Sequence, residues 1–255
     1  MKLILENWRK YLNEEIEDKY QIFLDMDGVL VDMTGGVVDT VNASLQKVRN
    51  GASTNHADPD SVHPGLKSRS QALRMLVKEM EKEGREEITA KEFDLMTDLK
   101  DSGESLQGAQ KRLQTYFFKL ASANQDWWVN LPPLQHAQAL VDLANEASHD
   151  GKTRILSAPI DAESIAGKEI WIENNLIGID PGKINVVHDK GGLLKSLNLP
   201  ENIIPILIDD RAKYQKQFKE SGGEVIPWDI HNPAGSFERA AAQLNSIIAR
   251  KKKDD

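Results

Sequence analysis

Five short apolar runs recur along this chain: Tyr20–Met26, Thr153–Pro159, Ile184–Asp189, Ile203–Arg211 and Glu224–Asp229. Each is continuous rather than alternating. A strand with apolar side chains on both sides must be covered on both faces, whereas a sheet open to water on one face would alternate. Helical patterns separate the later runs, at Leu134–Ser148, Ala162–Asn174, Leu193–Leu197, Ala212–Ser221 and Phe237–Arg250. This alternation predicts an α/β fold, a Rossmann-like parallel sheet with helices on both faces.

Between about Val37 and Gln125 the pattern changes. No convincing strand occurs there. Leu73, Leu76, Val77 and Met80 share one helical stripe, and Leu113, Tyr116, Phe117 and Leu120 share another. A shorter helix is expected in "ITAKEFDLMTDL", with Thr89 as its N-cap. Gly-rich and polar links at Asn50–Gly65 and Asp101–Gly108 separate these helices. The chain therefore divides into residues 1–36, an N-terminal helix and the first strand; residues 37–126, a helical cap inserted after that strand; and residues 127–255, the rest of the core. The N-terminal helix is read from Leu3, Ile4, Trp8, Tyr11 and Leu12, whose helical spacing among charges is unlike a signal peptide.

Composition closes off several classes of function. A chain with no cysteine has no disulfide, thiolate metal site or Cys nucleophile, and it suits a reducing cytoplasm. Net charge is −8, and broad binding of a nucleic-acid backbone needs a clustered positive surface instead. The basic run Arg250–Lys253 precedes Asp254 and Asp255 and reads as a solvated, frayed tail. No apolar run approaches the ~20 residues of a membrane span.

Ligands of open parallel sheets bind beyond the carboxyl ends of the strands. The first run ends in Asp25 and Asp27, the second in Ser157, and the fourth in Asp209 and Asp210. Four carboxylates in one pocket cannot all stay ionised without a cation. With oxygen ligands and no cysteine, Mg²⁺ is the natural one. Such a pocket suits phosphoryl transfer: an Asp nucleophile, a second carboxylate two residues on as acid and base, and Ser157 with a lysine on the remaining phosphate oxygens.

"DMDGVLVD" followed by "SAP", a helical lysine and "LIDDR" resembles the haloacid-dehalogenase-like phosphohydrolases, and most closely the 5′(3′)-deoxyribonucleotidases (pyrimidine 5′-nucleotidases of cytosolic and mitochondrial type). "DMDGVLVDMTGG", "DWWVNLPPLQHA", "KEIWIE" and "VVHDKGGLLKSLNLPENIIPILIDDR" carry the likeness, over about half of the chain. The insert matches that family's cap in position only and is longer. The resemblance implies Asp25 as nucleophile and metal ligand, and Asp27 as general acid and base whose backbone carbonyl also meets the metal. It implies Asp209 and Asp210 as further Mg²⁺ ligands, Ser157, Ala158 and Lys168 on the phosphate, and Trp128 and Met33 at the nucleobase. Ser157-Ala158-Pro159 stands where the family has Thr-Ser-Pro, so one hydroxyl contact is missing. Met33 replaces an aromatic residue.

Several residues have competing roles. Lys183 and Lys190 rival Lys168 as the phosphate lysine. Trp127 and Trp128, read as neighbours on an extended segment, would point opposite ways. His56, Asp58, Asp60 and His63 are read as a loop rather than a second metal site, Asp32 as structural, and Asp229, His231 and Asn232 equally as cleft-facing groups or as a simple turn. The expected function is a Mg²⁺-dependent nucleoside monophosphate phosphatase, with a sugar phosphate as alternative substrate and a non-catalytic binding protein as the other class. The expected partner is a small phosphomonoester rather than a nucleic-acid polymer or membrane; a homodimer is left open.

Overall fold

The computed structural model describes residues 19–54, 66–101, 105–122 and 124–254. The helix expected at the N-terminus and the His56–His63 segment lie outside the described residues. Five strands, β1 (Lys19–Leu24), β2 (Arg154–Ser157), β3 (Ile184–Val186), β4 (Ile203–Asp209) and β5 (Glu224–Pro227), form one parallel sheet in the order β3-β2-β1-β4-β5. β1 is central and its Ile22, Phe23 and Leu24 are fully buried. Pro205 is tolerated within β4 because β5 pairs only from Ile206 onward, so that stretch of β4 is an edge.

The period-2 geometry of the strands sorts these side chains to opposite faces. Phe23 and Leu207 pack with Phe218 and Leu194 on one face, where Phe23 meets Phe218 edge to face at 5.3 Å between ring centroids. These partners belong to α8 (Lys190–Ser196) and α9 (Ala212–Glu220). Ile22 and Leu24 point to the other face, into a larger core shared with α6 (Ala137–Ala147) and α10 (Pro233–Asp254).

Helices follow β1: α1 (Met33–Arg49), which starts before the expected insert boundary at Val37, then α2 (Leu66–Lys82), α3 (Ala90–Asp101) and α4 (Gly108–Ala121). Asp32 caps α1 by accepting from the Gly35 amide at 2.8 Å, the structural role expected for it. Thr89 and Glu92 form a reciprocal cap at the start of α3. Leu73, Leu76, Phe93, Leu113 and Tyr116 are buried in the same cluster as Ile22 and Leu24, so insert and core share one interior.

Three expectations are corrected. Trp127 and Trp128 lie in a short helix, α5 (Gln125–Val129), not on an extended segment, because the Asn124 side chain accepts from the Trp127 amide and starts a turn. Both indoles are buried, and their N–H groups donate to Thr40 Oγ1 (3.3 Å) and the Ala121 carbonyl (2.9 Å). The C-terminal segment continues as helix to Asp254 rather than fraying. Lys251 donates to the carbonyls of Ser148 (2.9 Å) and Glu146 (3.3 Å) at the end of α6, where the helix dipole favours a cation. α8 begins at Lys190, earlier than the apolar pattern suggested, because Asp189 caps it through the Gly192 amide at 2.8 Å.

α7 (Ala162–Asn175) packs across α5 at Gly167, where a Cβ would fall 2.6 Å from Trp128 Cβ and 2.8 Å from the Gln125 carbonyl. Backbone cannot yield as a flexible side chain would. Gly167→Ala is therefore expected to destabilise the protein by about 1–3 kcal/mol, read as a lower urea midpoint at unchanged m-value.

Candidate active site

The strand register places the carboxylates. Leu24 pairs with Ile208, so the next residues, Asp25 and Asp209, leave adjacent strands side by side, and the Asp25 amide donates to the Ile208 carbonyl at 2.9 Å. Ser157 ends β2 on the other flank of β1. The chain then turns sharply at Gly28, whose φ of +78° suits glycine. A Cβ there would also stand 2.8 Å from Asp210 Oδ2.

Two buried lysines hold the carboxylates. Lys190 Nζ lies 2.9 Å from Asp25 Oδ1 and 2.7 Å from Asp209 Oδ2. Lys168 Nζ donates to Asp27 Oδ2 (2.5 Å), Ser157 Oγ (3.0 Å) and the Ala158 carbonyl (2.6 Å), and sits 4.6 Å from the centre of the Trp128 ring. Lys168 is aimed by its own helix. Asp161 and Ser164 form a capping box at the start of α7, and Lys168 follows Ser164 by one turn. Lys190 rests 4.6 Å from the centre of the Tyr214 ring. Lys183 is elsewhere: it precedes β3 at the opposite edge of the sheet and pairs with Asp150.

The electrostatics are those of crowded acids. Burial, followed by the Asp25 charge, pushes Asp209 up to about 6 despite Lys190. Burial and then Asp25 and Asp209 hold Asp210 well above the usual carboxylate range. Asp27 is also raised, by burial first, against the opposing pull of Lys168. Burial alone would lower the Lys190 ammonium, but Asp25 and Asp209 outweigh it and the net shift is upward.

Asp25, Asp209 and Asp210 each offer a carboxylate oxygen, all within 4.8 Å of one another. Asp209 is already engaged by Lys190 and by the Arg211 amide (2.7 Å). Asp210 Oδ1 and Asp27 Oδ1 are buried and have no protein partner. A buried carboxylate oxygen without a donor is costly, and a hard cation is the partner that relieves it. The donor set therefore fits a divalent metal ion.

A cleft of about 340 Å³ opens over these groups, lined by Asp25, Asp27, Asp210 and Ala158 below and by insert side chains above. Met33 and Trp128 both border it, although Trp128 is fully buried and Lys168 covers its ring. His188, Arg211, Lys213 and Tyr214 add a polar wall, cationic at Arg211 and Lys213, that sequence reasoning missed. Arg211 and His188 had a usable signal, lying directly after Asp209-Asp210 and two residues before Lys190. Asp229, His231 and Asn232 form a turn that also borders a cavity: Asn232 caps α10 through the Gly235 amide, and Asp229 and His231 line a smaller cavity of about 190 Å³, with His231 3.6 Å from Asp94 of α3.

No protein-family model matches this sequence, and no curated protein matches it. Among solved structures, the chain is similar to a dehalogenase with an intermediate complex (11% identity, 84% of this chain and 86% of that one, TM-score 0.38). It is also similar to a haloacid dehalogenase-like hydrolase from Burkholderia xenovorans LB400 (16% identity, 83% of each chain, TM-score 0.37). A third is a phosphonoacetaldehyde hydrolase-like protein from Oleispira antarctica (8% identity, 91% of this chain and 86% of that one, TM-score 0.38). At these identities and TM-scores, the chemistry has to be read from the side chains themselves.

Lys190→Met would leave Asp25 and Asp209 buried without their ammonium. The expected loss of folding stability is roughly 3–5 kcal/mol, partly restored by millimolar Mg²⁺, as measured by urea unfolding with and without the ion.

Proposed function

We propose that this chain is a haloacid-dehalogenase-like, Mg²⁺-dependent phosphohydrolase that cleaves nucleoside or deoxynucleoside monophosphates through an aspartyl-phosphate on Asp25. One observation carries the reading: two carboxylates at the end of the central strand, each paired with a buried lysine, beside an Asp210 oxygen that has no protein partner. A hydrolytic site for neutral substrates would have no use for so much buried charge of both signs.

Asp25, Asp209 and Asp210, with the Asp27 carbonyl, would hold the Mg²⁺, which when bound offsets the charge of carboxylates and phosphate oxygens together. The remaining chemistry falls to the chain's own groups. The Met26 amide (2.8 Å) and Lys190 both engage Asp25 Oδ1, which leaves attack to Oδ2. A bond forms from Asp25 to phosphorus and the ester P–O bond breaks, its electron pair staying on the leaving oxygen. Asp27 gives that oxygen a proton, a role suited to a carboxyl raised by burial. Asp27 then takes a proton from water; the water oxygen attacks phosphorus, and inorganic phosphate and free Asp25 are released. Ser157, the Ala158 amide and Lys168 hold the non-bridging oxygens, while the cationic wall with Arg211 and Lys213 draws in a dianion.

The insert's aromatic wall favours a nucleobase over a plain sugar as leaving group. The reading places the enzyme in the cytoplasm, with a small phosphomonoester as its partner rather than a nucleic-acid polymer. No helix among the described residues is long and apolar enough to cross a membrane.

Asp25→Asn is expected to lower phosphate release from an aryl phosphate by roughly 10³-fold or more. Excess chelator should abolish wild-type activity and added Mg²⁺ restore it. Activity that survives the Asn substitution would remove Asp25 as nucleophile, and activity in chelator would remove the metal.

A further inference from the structure

The cleft wall supplied by the insert is apolar except at one position. Met96 of α3 and Phe117 and Phe118 of α4 border it together with Met33 of α1, and Gln114 stands among them. Gln114 precedes Phe118 by four residues, so the two lie on one face of α4. The neighbouring stripe, Leu113, Tyr116, Phe117 and Leu120, is buried in the core, whereas Gln114 and Phe118 are only partly buried. The Gln114 side chain makes no hydrogen bond with any described residue. A polar amide on an otherwise apolar wall, facing the cleft and unused by any described residue, is available to a ligand.

We infer that Gln114 reads the hydrogen-bonding edge of a planar heteroaromatic leaving group packed against Phe118, a specificity role that rests on the phosphohydrolase reading above. A glutamine amide presents an acceptor and two donors in one plane. Nucleobase edges present donors and acceptors side by side in a plane, and their flat faces suit an aromatic wall. Half a turn of the terminal torsion exchanges the amide oxygen and nitrogen, so one glutamine pairs with either order: N–H beside C=O, as in uracil, or N beside NH₂, as in cytosine. Sugar phosphates offer hydroxyls but no flat face for Phe118.

The test measures kcat and KM with Mg²⁺ for uridine monophosphate, cytidine monophosphate and glycerol phosphate, by release of inorganic phosphate. Gln114→Leu is expected to lower kcat/KM about tenfold on both nucleotides, mainly through KM, and to leave glycerol phosphate unchanged. Gln114→Glu, which can only accept when ionised, matches one group of either edge and repels the other, so it should penalise both nucleotides alike. Equal losses on all three substrates, or none, would overturn the role of Gln114 and leave the nucleotidase reading standing. A wild type with no preference for nucleotides over glycerol phosphate would overturn that reading and this inference with it.

Discussion

Everything at this site depends on keeping four carboxylates together in a space largely closed to water. Asp25, Asp27, Asp209 and Asp210 repel one another, and burial raises the cost of ionising three of them. The fold's answer is two ammonium groups, Lys190 between Asp25 and Asp209 and Lys168 between Asp27 and the β2–α7 turn. Both lysines are fully buried, a state that would be prohibitive without those partners. Their charges do not balance the acids completely, and one oxygen each of Asp27 and Asp210 is left without a protein partner, in a donor set that fits a divalent cation.

That balance explains features remote from the carboxylates. Lys190 can reach the rim only because Asp189 starts a helix directly before it, and Gly191 allows that helix to sit against α9, where a Cβ would lie 2.7 Å from the Gln217 carbonyl. Lys168 reaches its side because α7 is pressed onto α5 at Gly167 and held by Trp171, whose indole donates to the Leu131 carbonyl at 2.7 Å. Hydrophobic packing therefore sets the position of each charge. The helices between β1 and β2 overhang the rim while sharing the interior of the core.

Much of the core was legible in the residues. Strands buried on both faces are written as continuous apolar runs, and a parallel sheet presents their carboxyl ends at one edge. Asp25, Ser157 and Asp209 could thus be brought together from the sequence alone. The pair of tryptophans was less legible, since two adjacent aromatics fit a strand and a capped helical turn equally well. The basic tail was less legible still: only the position of the α6 terminus gives Lys251 carbonyls to bind.

The sequence by itself determined the sheet, the helices that follow its first strand, and the acidic and hydroxyl rim, because these follow from local periodicity and from where each apolar run stops. Tertiary structure alone decided which lysine meets which carboxylate: Lys168, Lys183 and Lys190 were all candidates in the sequence, and only packing sends the first to Asp27, the second to Asp150 and the third to Asp25 and Asp209. It also decided that Gln114 and Phe118 face the cleft. Residues one step around a helix from its buried stripe can meet water, a neighbour or a ligand, and the choice depends on what the rest of the chain places opposite them.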